Sequence, residues 1–213
     1  MAKNPWQQRW DEGRIGFHMD QFHPWLRQHW AGVTAKSHHR VLVPLCGKTL
    51  DLRYLAQGGH PVVGVEIVPE AIQQFYQEWS VVPKTSEVKG GRRFSGNRVT
   101  LYEADFFHVE PKEGPFDAWY DRAALVALPS SERPAYVSRL MELTGDQASG
   151  LLITFDYPQE EMEGPPFALP DDEVEALFAA TCVVERLDCE DLTADDSRDL
   201  SRCNRSVFRL RRR

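Results

Sequence analysis

Apolar and polar positions along this 213-residue chain alternate between two patterns. Short runs rich in Val, Ile, Leu and Phe predict buried strands, and the segments between them carry apolar residues at helical spacing. The predicted strands are residues 40–45, 61–67, 99–105, 116–121, 150–156, 182–188 and 206–211. This order is typical of an α/β fold with an open, mostly parallel, seven-stranded Rossmann-like sheet and helices on both faces.

Helices are predicted between these strands at residues 49–57, 69–79, 130–144 and 170–180. Gly58 and Gly145 are expected to end the first and third, and Pro69 stands in a first turn, where proline is tolerated. The second helix should face the core, because its apolar residues recur at three- and four-residue spacing: Ile72, Phe75, Tyr76 and Trp79.

Three further segments complete the predicted plan. Residues 5–30 are rich in aromatic side chains and predict a helical cover over the carboxyl edge of the sheet. Residues 81–98 and 158–169 read as binding-edge loops or a short hairpin. We therefore expect one domain over residues 1–213, with residues 1–35 as the cover.

Composition narrows the function classes. The net charge of -7 argues against a nucleic-acid-binding protein, and we interpret the basic tail Arg209–Arg213 as the solvated end of a last strand. No window suggests a secretory signal or a membrane span. The four cysteines lack CxxC spacing, so free thiols and no metal site are expected. We expect a soluble, cytoplasmic monomer that acts on a small molecule and binds neither nucleic acid nor membranes.

The segment from Arg40 to Glu66 predicts a nucleotide-binding unit, in which a strand, a loop, a helix and a second strand follow one another. Glu66 comes 19 residues after Gly47, near the interval expected for a carboxylate that accepts both ribose hydroxyls of an adenosine. The alternative is a surface glutamate. A single glycine favours a cofactor without phosphate, such as S-adenosylmethionine, over a dinucleotide. Lys48 should face solvent or cap elsewhere, and Cys46 should be buried.

Two later strand ends carry polar candidates. Asp105, followed by Phe106, either hydrogen-bonds an adenine amino group or caps a turn, and the residue pattern leaves both interpretations open. Arg122 can meet an anionic substrate at the mouth of the sheet. The alternative there is a surface ion pair between Asp121 and Arg122, which contributes about 0–1 kcal/mol.

Four groups of motifs stand out: Trp6-x-x-x-Trp10 with Gly16-Phe17-His18, RVLVPLCGK with GGHPVVGVEI, DRAALVAL from Asp121, and GPPFALPDDEVEALF from Gly164. Through these motifs the chain resembles the thiopurine S-methyltransferase family over nearly its full length. Met19 to Trp30 differs from the animal forms and looks closer to bacterial members of the family. This resemblance implies cofactor contacts from Trp6, Trp10, Leu45 and Glu66.

The resemblance also implies which side chains approach the acceptor. Arg122 would approach the thiopurine, and we assign it to the cofactor site as well. Arg198 is the counterpart of a second family arginine through a weaker alignment, with Arg202 and Arg205 as alternatives. Phe17 is assigned to the acceptor side. Glu103 and Asp105 are acidic, whereas the animal sequences are more neutral here, so Asp105 and Phe106 are assigned to the cofactor site from their place after the strand and not from the resemblance.

The leading hypothesis is an S-adenosylmethionine-dependent S-methyltransferase that acts on aromatic or heterocyclic thiols, with selenium or tellurium compounds as further candidate acceptors. Arg122 would favour the thiolate anion by its charge. Trp6 and Trp10, four residues apart, would form an aromatic wall for the sulfonium, unless they only pack the core. A non-catalytic S-adenosylmethionine sensor is the alternative, and a nicotinamide oxidoreductase is disfavoured by the missing glycines.

Overall fold

The computed structural model describes residues 5–194 and 198–213, and these fold into two compact units. The first comprises residues up to Arg27 together with Lys36–Gly114, and the second comprises Gln28–Ala35 together with Pro115–Arg213. The helices are α1 (Pro5–Asp11), α2 (Pro24–Val33), α3 (Asp51–Gln57), α4 (Pro69–Glu78), α5 (Arg133–Leu143) and α6 (Asp171–Phe178). The strands are β1 (Val41–Val43), β2 (Val62–Glu66), β3 (Lys84–Val88), β4 (Gly91–Gly96), β5 (Val99–Glu103), β6 (Phe116–Arg122), β7 (Thr144–Asp156), β8 (Cys182–Asp191) and β9 (Asn204–Arg212).

In the first unit the strand order is β3-β4-β5-β2-β1. The inner pairs β1–β2 and β2–β5 are parallel, whereas β3–β4 and β4–β5 are antiparallel. Every residue of β1 and β2 is buried, which explains why their sequences are continuous apolar runs. Helix α4 begins at Pro69 and buries Ile72, Phe75 and Tyr76, so the predicted core-facing helix is confirmed.

The predicted strand number of seven is wrong, because the described residues form nine. The two additional strands, β3 and β4, are a hairpin within residues 81–98, one of the two outcomes expected for that segment. Residues Lys84–Glu87 are exposed, so β3 lacks the apolar run that identifies a buried strand. An edge hairpin of this kind is visible in sequence mainly through its turn, here Gly90 with a φ of 82°.

In the second unit the strand order is β6-β7-β9-β8. Strands β6 and β7 are parallel, and β9 is antiparallel to both of its neighbours. Strand β7 starts at Thr144, earlier than predicted, so Gly145 lies inside a strand and does not end a helix. The helix ends at Leu143 instead, and the Thr144 hydroxyl donates a hydrogen bond to the Leu140 carbonyl at 3.0 Å.

The N-terminal region is less regular than predicted. A continuous helical segment over residues 5–30 is replaced by α1 and the start of α2, with irregular chain between Glu12 and His23. Gly13, with a φ of 68°, interrupts the helical pattern, and Pro24 restricts the residue before it. The irregular chain is tied down where the His23 N–H donates to the Asp51 carboxylate at 2.8 Å.

Three sequence features have simple structural outcomes. All four cysteines are free thiols. The basic tail forms the end of β9, where Arg209 donates a hydrogen bond to Glu185 at 2.6 Å. Among the described residues, no helix combines the length and the apolar character that crossing a bilayer requires.

Gly150 in β7 allows a close approach that any side chain would block. A Cβ at this position would lie 1.9 Å from the ring of Trp119, which is buried in β6. We expect Gly150→Ala to lower the free energy of unfolding by about 1–3 kcal/mol or more, as overpacking does. Urea denaturation measures this change. Gly145→Ala on the same strand is the control, since a Cβ there would meet only the Phe116 carbonyl at 3.6 Å, and an equal loss in both variants would contradict the explanation.

Candidate functional site

The loop after β1 has an unusual backbone. Leu45 has a φ of 46° and Gly47 a φ of 52°. A left-handed conformation costs a residue such as leucine roughly 1–2 kcal/mol, whereas glycine adopts it freely. Strained residues of this kind cluster at binding sites. The Cys46 N–H between them donates to the Val65 carbonyl at 3.0 Å, which ties the loop to β2.

Glu66 holds this loop in place. It ends β2 with 7% of its surface exposed, and its two carboxylate oxygens accept hydrogen bonds from the N–H groups of Gly47 and Val68, both at 2.7 Å. Burial raises the pKa of Glu66, and the N–H groups of Val68 and Gly47 oppose that rise. The Ile67 N–H also acts on this carboxylate, but a carboxylate has about four acceptor sites, so Glu66 can still accept a hydroxyl group. The alternative of a surface glutamate is wrong, because the residue is buried.

Three aromatic side chains of the same unit form what we call the aromatic cluster: Trp6, Trp10 and Phe17. The ring of Phe17 lies 6.1 Å from that of Trp6 and 6.2 Å from that of Trp10. A Cβ built on Gly47 would be 3.6 Å from Phe17 and 3.7 Å from Trp10, so the cluster lies against the strained loop. Helix α1 has no buried residue, and simple core packing therefore does not explain the two tryptophans.

Asp105 caps a turn after β5, which is one of the two interpretations that its sequence allowed. Its carboxylate accepts the Phe107 N–H at 2.9 Å and lies 2.9 Å from Nδ1 of His108. The neighbouring Phe106 is buried. Their predicted contact with an adenine ring stays a prediction.

The other two loop residues, Lys48 and Cys46, are accounted for by an ion pair and by burial. Lys48 forms an ion pair with Glu78 at 2.7 Å, at the end of α4. Cys46 is buried, as expected, and burial raises the pKa of its thiol well above the usual value. A thiol in this state is a poor nucleophile, because the thiolate is the reactive form.

In the second unit, Arg122 ends β6 and is partly exposed, whereas Asp121 is only 1% exposed. The Asp121 carboxylate accepts the Leu125 N–H at 3.1 Å and the Tyr136 hydroxyl at 2.7 Å. Burial raises its pKa to about 6, although these two hydrogen bonds act in the opposite direction. The alternative of a surface ion pair between Asp121 and Arg122 is therefore wrong.

The three C-terminal arginines differ in their surroundings. Arg198 lies over the Phe155 ring, with its guanidinium carbon 4.2 Å from the ring centre. Arg202 is paired with Asp156, and Arg205 is paired with Glu190 at 2.5 Å. Of the three alternatives, the structure thus commits Arg202 and Arg205 to carboxylates and places Arg198 on an aromatic ring.

The second unit also contains an open cleft of about 800 Å³, which the sequence analysis did not identify. Its lining includes Arg133, Asp156, Tyr157, Phe167 and Arg202. The sequence analysis also missed Tyr136, the partner of Asp121. Its place on the apolar stripe of α5 was readable from helical spacing, but its hydroxyl contact depends on how the helix packs against β6.

Comparisons with known proteins agree with this architecture. The sequence profile described as "Thiopurine S-methyltransferase (TPMT)" matches residues 1–213. Proteins named thiopurine S-methyltransferase from Shewanella woodyi and from Pseudomonas aeruginosa strain UCBPP-PA14 are 41% and 40% identical to the chain. In both cases the alignment covers 100% of each protein.

Solved structures show the fold. A 1,6-didemethyltoxoflavin-N1-methyltransferase from Burkholderia thailandensis, solved with S-adenosylhomocysteine, superposes with a TM-score of 0.65 at 19% identity, covering 96% of this chain and 84% of that one. TehB from Haemophilus influenzae gives a TM-score of 0.64 at 12% identity, covering 97% and 67%. The chain thus has an α/β methyltransferase fold.

The raised pKa of Asp121 predicts a pH-dependent stability. Between the ordinary value of 3.8 and about 6, the unfolded chain is ionised while the native residue holds its proton, so stability is lost as the pH rises through this window. Asparagine does not ionise. The free energy of unfolding of Asp121→Asn, compared with that of the wild-type protein, should therefore rise by roughly 3 kcal/mol between about pH 4 and about pH 7.

Urea denaturation across this pH range measures the difference in unfolding free energy. Taking the difference between the two proteins at each pH cancels the contributions of the ionisable groups that they share. A flat difference for Asp121→Asn would show that the buried carboxyl is not perturbed.

Proposed function

The chain belongs to the thiopurine S-methyltransferase family, and we propose that it transfers a methyl group from S-adenosylmethionine to the sulfur of an aromatic or heterocyclic thiol. The observation that carries the proposal is the Glu66 carboxylate, which holds a strained loop and keeps acceptor capacity beside an aromatic cluster. When bound, S-adenosylmethionine supplies a methyl group on a sulfonium, and displacement by a thiolate leaves a thioether and S-adenosylhomocysteine.

The residues of the first unit fit this cofactor. Glu66 can accept the ribose hydroxyls, because an ionised carboxylate is an acceptor only and donates nothing in return. Gly47 leaves its backbone open to a ligand, since it carries no side chain. Trp6 and Trp10, with Leu45, supply apolar and aromatic surface for the methionine portion and the cationic sulfur. Asp105 and Phe106 are proposed for the adenine end.

The second unit supplies the acceptor side of the proposal. Arg122 is proposed to attract the thiolate and to lower the pKa of the thiol by its positive charge. Arg198, whose guanidinium lies over the Phe155 ring, is proposed as the second arginine of this kind, as the family resemblance implies. Phe17, from the aromatic cluster, is proposed to contact the acceptor ring. The protein then has to align the reacting atoms and exclude water, and it needs no strong base.

The wider setting is also part of the proposal. We propose that residues 1–213 act as a single methyltransferase domain, with residues 1–35 as a cover, and that the protein is a cytoplasmic monomer. The net charge of -7 suits a small-molecule enzyme better than a nucleic-acid-binding protein. Free thiols, including the exposed Cys189, suit a reducing compartment. Gel filtration with light scattering tests the oligomeric state.

An assay with methyl-labelled cofactor and 6-mercaptopurine tests the activity, and a selenol acceptor in parallel tests the selenium alternative. We expect transfer to the thiol, and Arg122→Ala should raise the KM for the thiol about tenfold, as the loss of one charge-assisted hydrogen bond does. The Kd for S-adenosylhomocysteine should change much less. Arg186→Ala, which removes an arginine paired with Asp171 and outside the candidate site, is the control.

Two outcomes contradict this proposal. Tight cofactor binding without turnover on any thiol would favour a sensor protein instead of an enzyme. A larger effect of Arg122→Ala on cofactor binding than on the KM for the thiol would move Arg122 from the acceptor to the cofactor.

Glu66→Gln tests the cofactor site. The glutamine amide would turn its NH₂ group toward the N–H of Gly47 or Val68, so one loop contact and acceptor capacity for the ribose are lost together. We expect the Kd for S-adenosylhomocysteine, measured by calorimetry, to rise more than about tenfold. Glu103→Gln is a matched control, because Glu103 is the register partner of Glu66 on β5 and is bound by Arg92 at 2.6 Å. Equal losses in both variants would show that Glu66 has no special role.

A further inference from the structure

The carboxylate of Asp121 lies next to Arg122 in the chain but faces a different neighbour. The Asp121 carboxylate accepts the Tyr136 hydroxyl of α5 at 2.7 Å, and Arg122, the next residue, ends β6. The second oxygen of Asp121 accepts the Leu125 N–H at 3.1 Å. One buried side chain therefore joins the end of β6, the turn that follows it and a helix.

The turn held in this way is strained. Ala123, directly after Arg122, has a φ of 60°, in a region where a residue with a Cβ pays of order 1–3 kcal/mol. Such a conformation persists only when the surroundings impose it. The Asp121–Leu125 hydrogen bond spans the turn. It therefore also fixes the backbone of Arg122, which lies between these two residues.

The helix that carries Tyr136 is itself fixed. Arg133, at the start of α5, is 1% exposed and donates to the Leu128 carbonyl at 3.1 Å, to Glu173 at 2.7 Å and to the Ala168 carbonyl at 2.9 Å. The bond to Leu128 holds the far end of the segment that begins at Asp121. Tyr136 thus offers its hydroxyl from a rigid support.

We propose that Asp121 and Tyr136 are positioning residues for Arg122: their hydrogen bond fixes the turn after β6, so that the guanidinium is held ready for the acceptor thiolate. The inference rests on the proposed function of Arg122 and adds two residues that do not contact the acceptor. A pre-organised cation binds its anion more tightly than a mobile one, because less conformational freedom is lost on binding.

Tyr136→Phe tests the inference by removing only the hydroxyl. We expect the KM for 6-mercaptopurine to rise about tenfold, with the Kd for S-adenosylhomocysteine unchanged. Tyr102→Phe is a matched control, since Tyr102 is also buried and donates its hydroxyl to a carboxylate, that of Glu113, at 2.7 Å. It should lose similar stability but leave the KM unchanged. An equal rise in KM for both variants would overturn the proposal.

A double-mutant cycle with Arg122→Ala separates positioning from general stability. If Tyr136 acts through Arg122, Tyr136→Phe should raise the KM about tenfold in the wild-type enzyme and by less than about twofold when Arg122 is already absent. The same factor in both backgrounds overturns the inference alone. If Arg122→Ala itself leaves the KM unchanged, the proposed role of Arg122 fails, and the inference fails with it.

Asp121→Asn is the conservative variant that should restore function. Its amide oxygen can accept from the Leu125 N–H, and its NH₂ group can donate to the Tyr136 oxygen. We therefore expect a KM near that of the wild-type enzyme for Asp121→Asn and a rise of at least about tenfold for Asp121→Ala. A rise as large with asparagine as with alanine would mean that the charge of Asp121, and not its hydrogen bonds, matters to Arg122, which contradicts the proposal.

Discussion

A buried carboxylate that accepts backbone N–H groups is the interaction on which the candidate cofactor site depends. Glu66 binds the N–H groups of Gly47 and Val68 at 2.7 Å each, and together with the Cys46–Val65 hydrogen bond it holds the loop in which Leu45 is left-handed. The aromatic cluster lies against this loop, so its placement depends on the same contact. The strand supplies the carboxylate, the carboxylate shapes the loop, and the loop supports the aromatic rings.

The second unit repeats this local solution with different residues. Asp121 stands near the end of β6 as Glu66 stands at the end of β2, and each accepts an N–H from a nearby turn. Each also acts near a residue with positive φ: Ala123 lies two positions after Asp121, and Leu45 lies two positions before Gly47, whose N–H Glu66 accepts. In both units, residues proposed to bind ligands lie in or beside a backbone segment whose conformation is unfavourable by itself. At these points the strained backbone lowers stability but fixes the direction of the side chains, as is common at functional sites.

Much of this fold could be predicted from the sequence. The parts that could not be predicted have one cause in common, which is that they depend on contacts with other elements. Apolar periodicity identified β2 and α4 because their faces are buried by any α/β packing. It missed β3, which is exposed and gains its hydrogen bonds from its neighbour in the hairpin. At the site, Glu66 and Arg122 were readable from their strand-end positions, but the Tyr136 contact was not, since it joins residues 15 positions apart through helix packing.

The cost of burying these carboxylates indicates what they are for. A buried charge is unfavourable unless hydrogen bonds compensate for it, and burial raises the pKa of both Glu66 and Asp121. An apolar side chain at either position would remove that penalty, yet it could not accept an N–H and so could not hold the turn. Fold stability alone therefore does not account for either residue. Their common property is that each fixes the backbone beside a residue proposed to bind the cofactor or the thiol.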